Sequence, residues 1–272
     1  PNNVFATVPG RLIIGHMRHP VRQEETRLAH IRGFFADTLG YRGIDLSQQK
    51  GICELTGSLI IDRARNIGFC GLSERCDEAG ARAMFEAFDL EACLLFNLAE
   101  GEYHTNVVLS VLASRAVVVA ASGFRDAAVA EAIAGFYGGR AIRLSESQKG
   151  DYAGNCIALT ENAVFLSQRA LDSLDPGQCA QFADYGFNLV PAALPMLERA
   201  YRAAHAAFPL VRVAHAALLT TGADFRGHPG PAGYDRAFAA IPARLAEHSL
   251  ADIRKLLAAL AISMVHLSRL CE

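Results

Sequence analysis

A chain of 272 residues that is 51% hydrophobic and 20% charged, with a formal net charge of −2, is too apolar for a disordered segment and long enough to bury a full core. Its 26 Lys+Arg face 28 Asp+Glu, so the basic excess of a nucleic-acid partner is missing, and no apolar run is long enough to span a membrane. Seven cysteines, odd in number and without a CxxC pair, argue against a disulfide framework or a zinc knuckle and for a reducing, cytoplasmic setting.

The sequence opens at Pro1 and runs straight into a strand-like stretch; a processed or truncated start without a leader is expected. Residues 4–8, a turn at Pro9-Gly10 and residues 12–14 read as a hairpin. Leu28, Ile31, Phe35 and Leu39 then fall at helical spacing, and 41–46 reads as a strand. The pattern returns with runs at 59–61 and 67–70, a helix through Ala81, Met84, Phe85 and Phe88, and a strand at 92–98. It returns again with 107–112 and 116–120, a helix through Val129, Ile133 and Phe136 that Asp126 can cap, and a strand at 141–144. A fourth hairpin, 157–159 with 164–166, is followed by a strand at 187–190. Hairpin turns near residues 10, 64, 114 and 161 give a period of about fifty, so the chain is α/β and built of four ββαβ modules across 1–198. From about residue 199 the rhythm stops. Residues 199–272 read as an atypical helical tail, with Ser249 as a cap and Ile253, Leu256, Leu257, Leu260 and Met264 as its apolar stripe.

Polar residues collect at one phase of the repeat, just before each first strand. They are Asn2-Asn3, Glu54 to Ser58, His104-Thr105-Asn106 and Gly154-Asn155. Singly each has a plain explanation as a cap, a solvated charge or turn chemistry. At equivalent positions of a rotational repeat they converge, and a carboxylate beside a histidine suits a planar cationic or polar group and proton transfer. A metal-ligand set and a Gly-rich phosphate loop are not evident: His16 and His19 flank a turn expected at the surface.

These stretches carry a resemblance. Pro1-Asn2-Asn3-Val4-Phe5, Glu54-Leu55-Thr56-Gly57-Ser58, Leu72-Ser73-Glu74-Arg75, Tyr103-His104-Thr105-Asn106-Val107 and Gly154-Asn155 resemble motifs of the guanidine-modifying amidinotransferase superfamily. Within it the chain looks like the citrulline-utilisation hydrolases, relatives of arginine deiminase and dimethylarginine dimethylaminohydrolase, over roughly residues 1–200. The resemblance implies a pseudo-fivefold α/β propeller, no metal or organic cofactor, and a small guanidino or ureido amino acid as the ligand. A self-assembled oligomer is compatible with it. It also implies that a cysteine thiolate attacks the guanidine or ureido carbon while His104 moves protons. Glu54 then holds the substrate nitrogens, Asn106 stands where relatives have a second contact, and Arg75 matches an element that grips the α-carboxylate. Asn3 and Asn155 lie in motifs beside the site.

Two departures stand out. Leu55 follows Glu54 where the family has glycine, and is expected to reshape the pocket. Residues 197–208, where the fifth repeat should bring the nucleophile, contain neither cysteine nor glycine. Three accounts fit: a relative that has lost its nucleophile and binds or regulates, Cys271 folded back from its penultimate position, or a tail translated out of frame. The nucleophile is therefore unassigned.

Overall fold

The computed structural model describes residues 3–192. Among the described residues, twelve strands form four three-stranded sheets, each from a continuous stretch of chain. The first holds β1 (Phe5–Val8), β2 (Arg11–Ile14) and β3 (Arg42–Asp45), and the second β4 (Leu59–Asp62), β5 (Ile67–Leu72) and β6 (Ala92–Asn97). The third holds β7 (Leu109–Leu112), β8 (Ala116–Val119) and β9 (Ala141–Arg143), and the fourth β10 (Ile157–Ala158), β11 (Ala163–Ser167) and β12 (Asn188–Ala192). In every sheet the first two strands pair antiparallel and the third pairs parallel with the second. An antiparallel step closes through a tight turn, whereas a parallel step needs the long crossover that each helical segment supplies. The ββαβ unit expected from the period is present four times, with strand ends moved by a residue or two.

The helices differ more from their sequence patterns. Glu78–Phe88 is capped by Asp77, whose side chain accepts from the Gly80 amide; it buries Ala81, Met84 and Phe88 but leaves Phe85 at the surface. Ala127–Phe136 is capped by Asp126, as its position suggested, through the Ala128 amide. Its buried face is Ala130, Ile133 and Ala134, and Phe136 is exposed, because the next residue, Tyr137, turns into the core and bonds Asp62. The first crossover breaks into Ala29–Gly33 and the wider turn Phe34–Thr38, leaving Leu39 exposed. Gly33 sits at the break, where helix propensity is weakest. The fourth module has a capped helix the sequence reading did not define, Pro176–Asp184, with Asp175 and Gln178 forming a capping box.

Successive modules are joined by repeating contacts. β4 lies against β7 and β7 against β10, so the first strands of consecutive modules are neighbours. At the hairpin turns, Arg65 donates to the Ser114 carbonyl at 2.6 Å, and one module later Arg115 donates to the Glu161 carbonyl. Each of these guanidinium groups also lies over an aromatic ring, Tyr137 for Arg65 and Phe187 for Arg115. All four residues of β8 are buried, as befits a middle strand covered on both faces. Among the described residues no helix is long and apolar enough to cross a membrane. The tail 199–272, the segment 197–208 and Cys271 lie outside the described residues.

Candidate active site

Because the first strands are neighbours, the residues leading into them are gathered too. Glu54 and His104 each precede a four-residue helical turn, Leu55–Ser58 and Thr105–Val108, and those two turns pack together. Thr105 locks them: its hydroxyl donates to the Ser58 carbonyl at 2.6 Å and accepts from the Gly71 amide at 2.8 Å. One module on, Ser110 donates to the carbonyls of Gly154 and Cys156 at 2.7 and 2.8 Å.

The Glu54 and His104 side chains are 0% and 1% exposed overall as residues, and His104 Nε2 stands 2.9 Å from Glu54 Oε2. Glu54 Oε1 accepts from the backbone amide of Arg18 at 3.1 Å. Arg75 Nη1 reaches both carboxylate oxygens at 3.2 Å. Arg75 is held in turn by Glu74 at 3.1 Å and by the face of Tyr103, and Tyr103 also packs on the His104 ring.

Burial raises the affinity of the Glu54 carboxylate for a proton, yet the His104 hydrogen bond, the Arg75 charge and the Arg18 amide outweigh it and hold the group below the usual range. For His104 burial dominates and pushes the imidazole down, against the pull of Glu54. The pair is therefore an ionised carboxylate beside a neutral imidazole. An ionised carboxylate only accepts, so Nε2 carries the ring proton and Nδ1 is left with a lone pair for proton transfer.

Asn3 is fully buried with φ of 67°, a left-handed conformation that asparagine tolerates better than most residues. Its Oδ1 accepts from Thr56 at 3.3 Å, while its Nδ2 has no hydrogen-bond partner among the described residues. Gly57 sits between the two halves of the site: a Cβ there would lie 2.8 Å from Asn3 Nδ2 and 2.9 Å from His104 Cδ2. Glycine is what lets Asn3 and His104 approach.

The structure thus brings together Glu54, His104 and Arg75, with Asn3 beside them through Thr56 and Gly57. Asn106 is half-buried, and Asn155 is exposed with its amide bonded to Tyr152 within its own turn. Neither is hydrogen-bonded to the pair. Leu55 is fully buried in the apolar core, packed tightly against Gly15, so its bulk is taken up by the core. His19 is exposed as expected, whereas His16 is half-buried and bonds the Gly51 carbonyl at 2.9 Å. The Arg18 amide carried no sequence signal, since it acts through the backbone. Burial pushes the Cys53 and Cys156 thiols up to about 12 and Cys93 to about 11. The bond to Cys70, together with burial, drives Cys76 upward as well. A thiolate nucleophile needs the opposite shift. Among the described residues no group of three His, Cys, Asp or Glu side chains is placed to hold a metal ion.

The family model described as N,N dimethylarginine dimethylhydrolase, eukaryotic, matches residues 1–201. The chain belongs to the N,N dimethylarginine dimethylhydrolase family. That membership sets it in the superfamily its motifs resemble. The fold agrees with that of solved structures at low identity. The N-terminal domain of ArgZ, an arginine dihydrolase from the Ornithine-Ammonia Cycle in Cyanobacteria, solved bound to substrate, superposes with a TM-score of 0.60 at 17% identity. The match covers 71% of this chain and 68% of that one. An AgrE complex with L-arginine gives a TM-score of 0.60 at 18% identity, covering 71% of this chain and 28% of that one. A dimethylarginine dimethylaminohydrolase adduct gives 0.54 at 17% identity, covering 71% and 69%. The chain spans only 30% of the length of apo ArgZ. A search among curated proteins returned no match.

Proposed function

We propose that this N,N dimethylarginine dimethylhydrolase family member is a hydrolase acting at the guanidine or ureido carbon of an arginine- or citrulline-like small molecule. The observation that carries the reading is the buried contact of 2.9 Å between Glu54 and His104, built from equivalent positions of two modules. Glu54 supplies fixed negative charge for planar N–H groups, and His104 supplies a lone pair at Nδ1 for proton transfer. Arg75, Asn3, Asn106 and Asn155 are the proposed polar contacts of the ligand. In the reaction a cysteine thiol, its residue unassigned, passes its proton to His104 and forms a C–S bond, a C–N bond breaks, and His104 returns the proton to the leaving amine. Water then releases the enzyme.

The arrangement of the modules is proposed to be that of an α/β propeller, with 1–198 as its repeats and 199–272 as a separate helical tail. No metal or organic cofactor enters this chemistry, and a cytoplasmic setting suits the free thiols. The test is incubation with arginine, citrulline and dimethylarginine while following ammonia, amines and ornithine; turnover that His104→Ala abolishes supports the reading, and turnover that survives it overturns the role of the pair. A second reading is favoured by the raised thiols of Cys53, Cys76, Cys93 and Cys156. It is a relative that binds the guanidino compound without turning it over, recognisable by a ligand-induced rise in melting temperature with no product.

A further inference from the structure

We infer that β6 is the edge at which two copies of this chain pair, antiparallel about Leu94, into one continuous sheet. Among the described residues the third strand of every module has a neighbour on one side only, and such a free edge is a template for another strand. Three of the four edges are blunted. β3 carries exposed Arg42 and Asp45. β9 is three residues long and ends at Arg143, which is tied to Glu131 at 2.6 Å. β12 contains Pro191, which has no amide to offer. β6 has none of these devices. Its sequence, Ala92-Cys93-Leu94-Leu95-Phe96-Asn97, holds neither charge nor proline, and Leu94 and Leu95 are 44% and 37% exposed. The same place in the repeat is thus protected three times and left apolar once.

The backbone of that edge is open as well. Leu98 donates to the Leu72 carbonyl at 3.1 Å, so the alternate residues Ala92, Leu94 and Phe96 bond inward to β5, while Cys93 and Leu95 turn amide and carbonyl outward. The outward Asn97 carbonyl accepts from the Arg125 amide at 3.0 Å, which closes the edge at that end. The open stretch is therefore Ala92–Phe96, symmetric about Leu94. A second copy fits it better than an unrelated strand, because antiparallel pairing about Leu94 is self-complementary. Cys93 stands opposite Leu95 and exchanges hydrogen bonds with it, and small Ala92 stands opposite large Phe96. Glu91, the charge that immediately precedes the strand, falls opposite neutral Asn97 and not opposite its own copy. Leu94 meets Leu94 as a non-hydrogen-bonded pair, the closer kind, which covers the most exposed apolar side chain of the strand. A contact of one strand and its leucines belongs to the weak, concentration-dependent class.

The test is analytical sedimentation of the full chain and of Leu94→Lys at concentrations on the order of 1–100 μM, with Leu94→Cys assayed for a disulfide between copies under mild oxidation. Wild type is expected to pass from monomer to dimer across that range. Leu94→Lys is expected to weaken the association by more than about tenfold with the monomer still folded, since the side chain it replaces faces solvent there. Because paired Cα atoms at such a position lie about 4.5 Å apart, Leu94→Cys should link two copies, whereas Glu91→Cys and the wild type with its native cysteines should not in the same time. Should Leu94→Lys fail to fold, the Leu94→Cys link, which leaves the strand uncharged, decides. A chain that stays monomeric throughout the range overturns the inference, whether residues 193–272, a foreign strand or solvent then covers β6. A dimer that Leu94→Lys leaves intact and Leu94→Cys does not link lies on another surface and overturns it equally.

Discussion

Glu54 and His104, fifty residues apart in sequence, hold the same position in consecutive modules, and their side chains meet at 2.9 Å. Each stands one residue ahead of a helical turn that feeds the first strand of its module. The duplicated backbone places the two groups, and substitution has made one an acid and the other a base. The roles of the two members in stability and in chemistry should therefore separate. Glu54→Gln removes the charge that compensates Arg75, and breaking a buried pair in this way is expected to cost about 3–5 kcal/mol in chemical denaturation. His104→Gln keeps an N–H donor for Glu54 and should cost less than about 1.5 kcal/mol, while turnover falls by about 10²–10⁴-fold. A His104→Gln protein with undiminished turnover would remove the histidine from the proposed chemistry.

Gly57 gives a steric check on the same site. A methyl group there would press on Asn3 and His104 at distances no real Cβ tolerates, so one of them must move. Gly57→Ala is expected to cost about 1–3 kcal/mol and to weaken ligand binding, because the atoms displaced are those of the site. An alanine variant with wild-type melting temperature and wild-type affinity for arginine would show that Asn3 and His104 are not fixed against Gly57.

Acid stability follows from the two shifts. His104 is pushed below its ordinary value of 6.5 by burial, so between that folded value and 6.5 the unfolded chain binds a proton that the folded protein refuses. Glu54 is held below its ordinary 4.5, so in acid the unfolded chain again binds more protons. Both groups weaken the fold as pH falls, the histidine first. Melting temperature should be level above about pH 6.5, decline below it, and steepen below about pH 4.5. His104→Gln should flatten the upper decline and leave the lower one. A decline between pH 6.5 and 4.5 that is identical in the variant would mean that His104 titrates normally.

The repeat was legible because its signals are local: alternating apolar runs, Pro9-Gly10, and a cap at Asp126 all act over a few residues. So was the phase at which Glu54 and His104 would meet, since a repeat brings equivalent positions together. The contacts made by Arg75 were not legible, because they depend on which of two carboxylates, Glu54 or Glu74, lies within reach of each guanidinium nitrogen. The bond from the Arg18 amide to Glu54 left no trace in side-chain chemistry at all. The broken first crossover shows the limit of periodicity: Leu28, Ile31, Phe35 and Leu39 keep helical spacing, yet the backbone changes pitch at Phe34 and Leu39 turns to the surface.

The junction between the second and third modules carries a buried acid remote in role from Glu54. Asp62 is 0% exposed and accepts from the Tyr137 hydroxyl at 2.7 Å, from Arg65 at 2.8 Å and from the Ser114 hydroxyl. Burial raises the carboxyl, but these three donors together hold it below its ordinary value. Ser114 and its neighbour Ala113 have φ of 58° and 46°, conformations that side chains other than glycine adopt reluctantly, so the turn depends on its anchors. Tyr137→Phe removes one donor and leaves two, and is expected to cost about 1–3 kcal/mol. Asp62→Ala leaves the buried Tyr137 hydroxyl without its acceptor, while Arg65 keeps the Ser114 carbonyl and solvent, and should also cost about 1–3 kcal/mol. Because both residues donate to or form the same carboxylate, the double variant should cost little more than Asp62→Ala alone, with ligand affinity unchanged in all three. Denaturation of the four proteins checks this: additive losses would mean that the Tyr137 hydroxyl stabilises the fold independently of Asp62, and that Asp62 does not tie the two modules together through it.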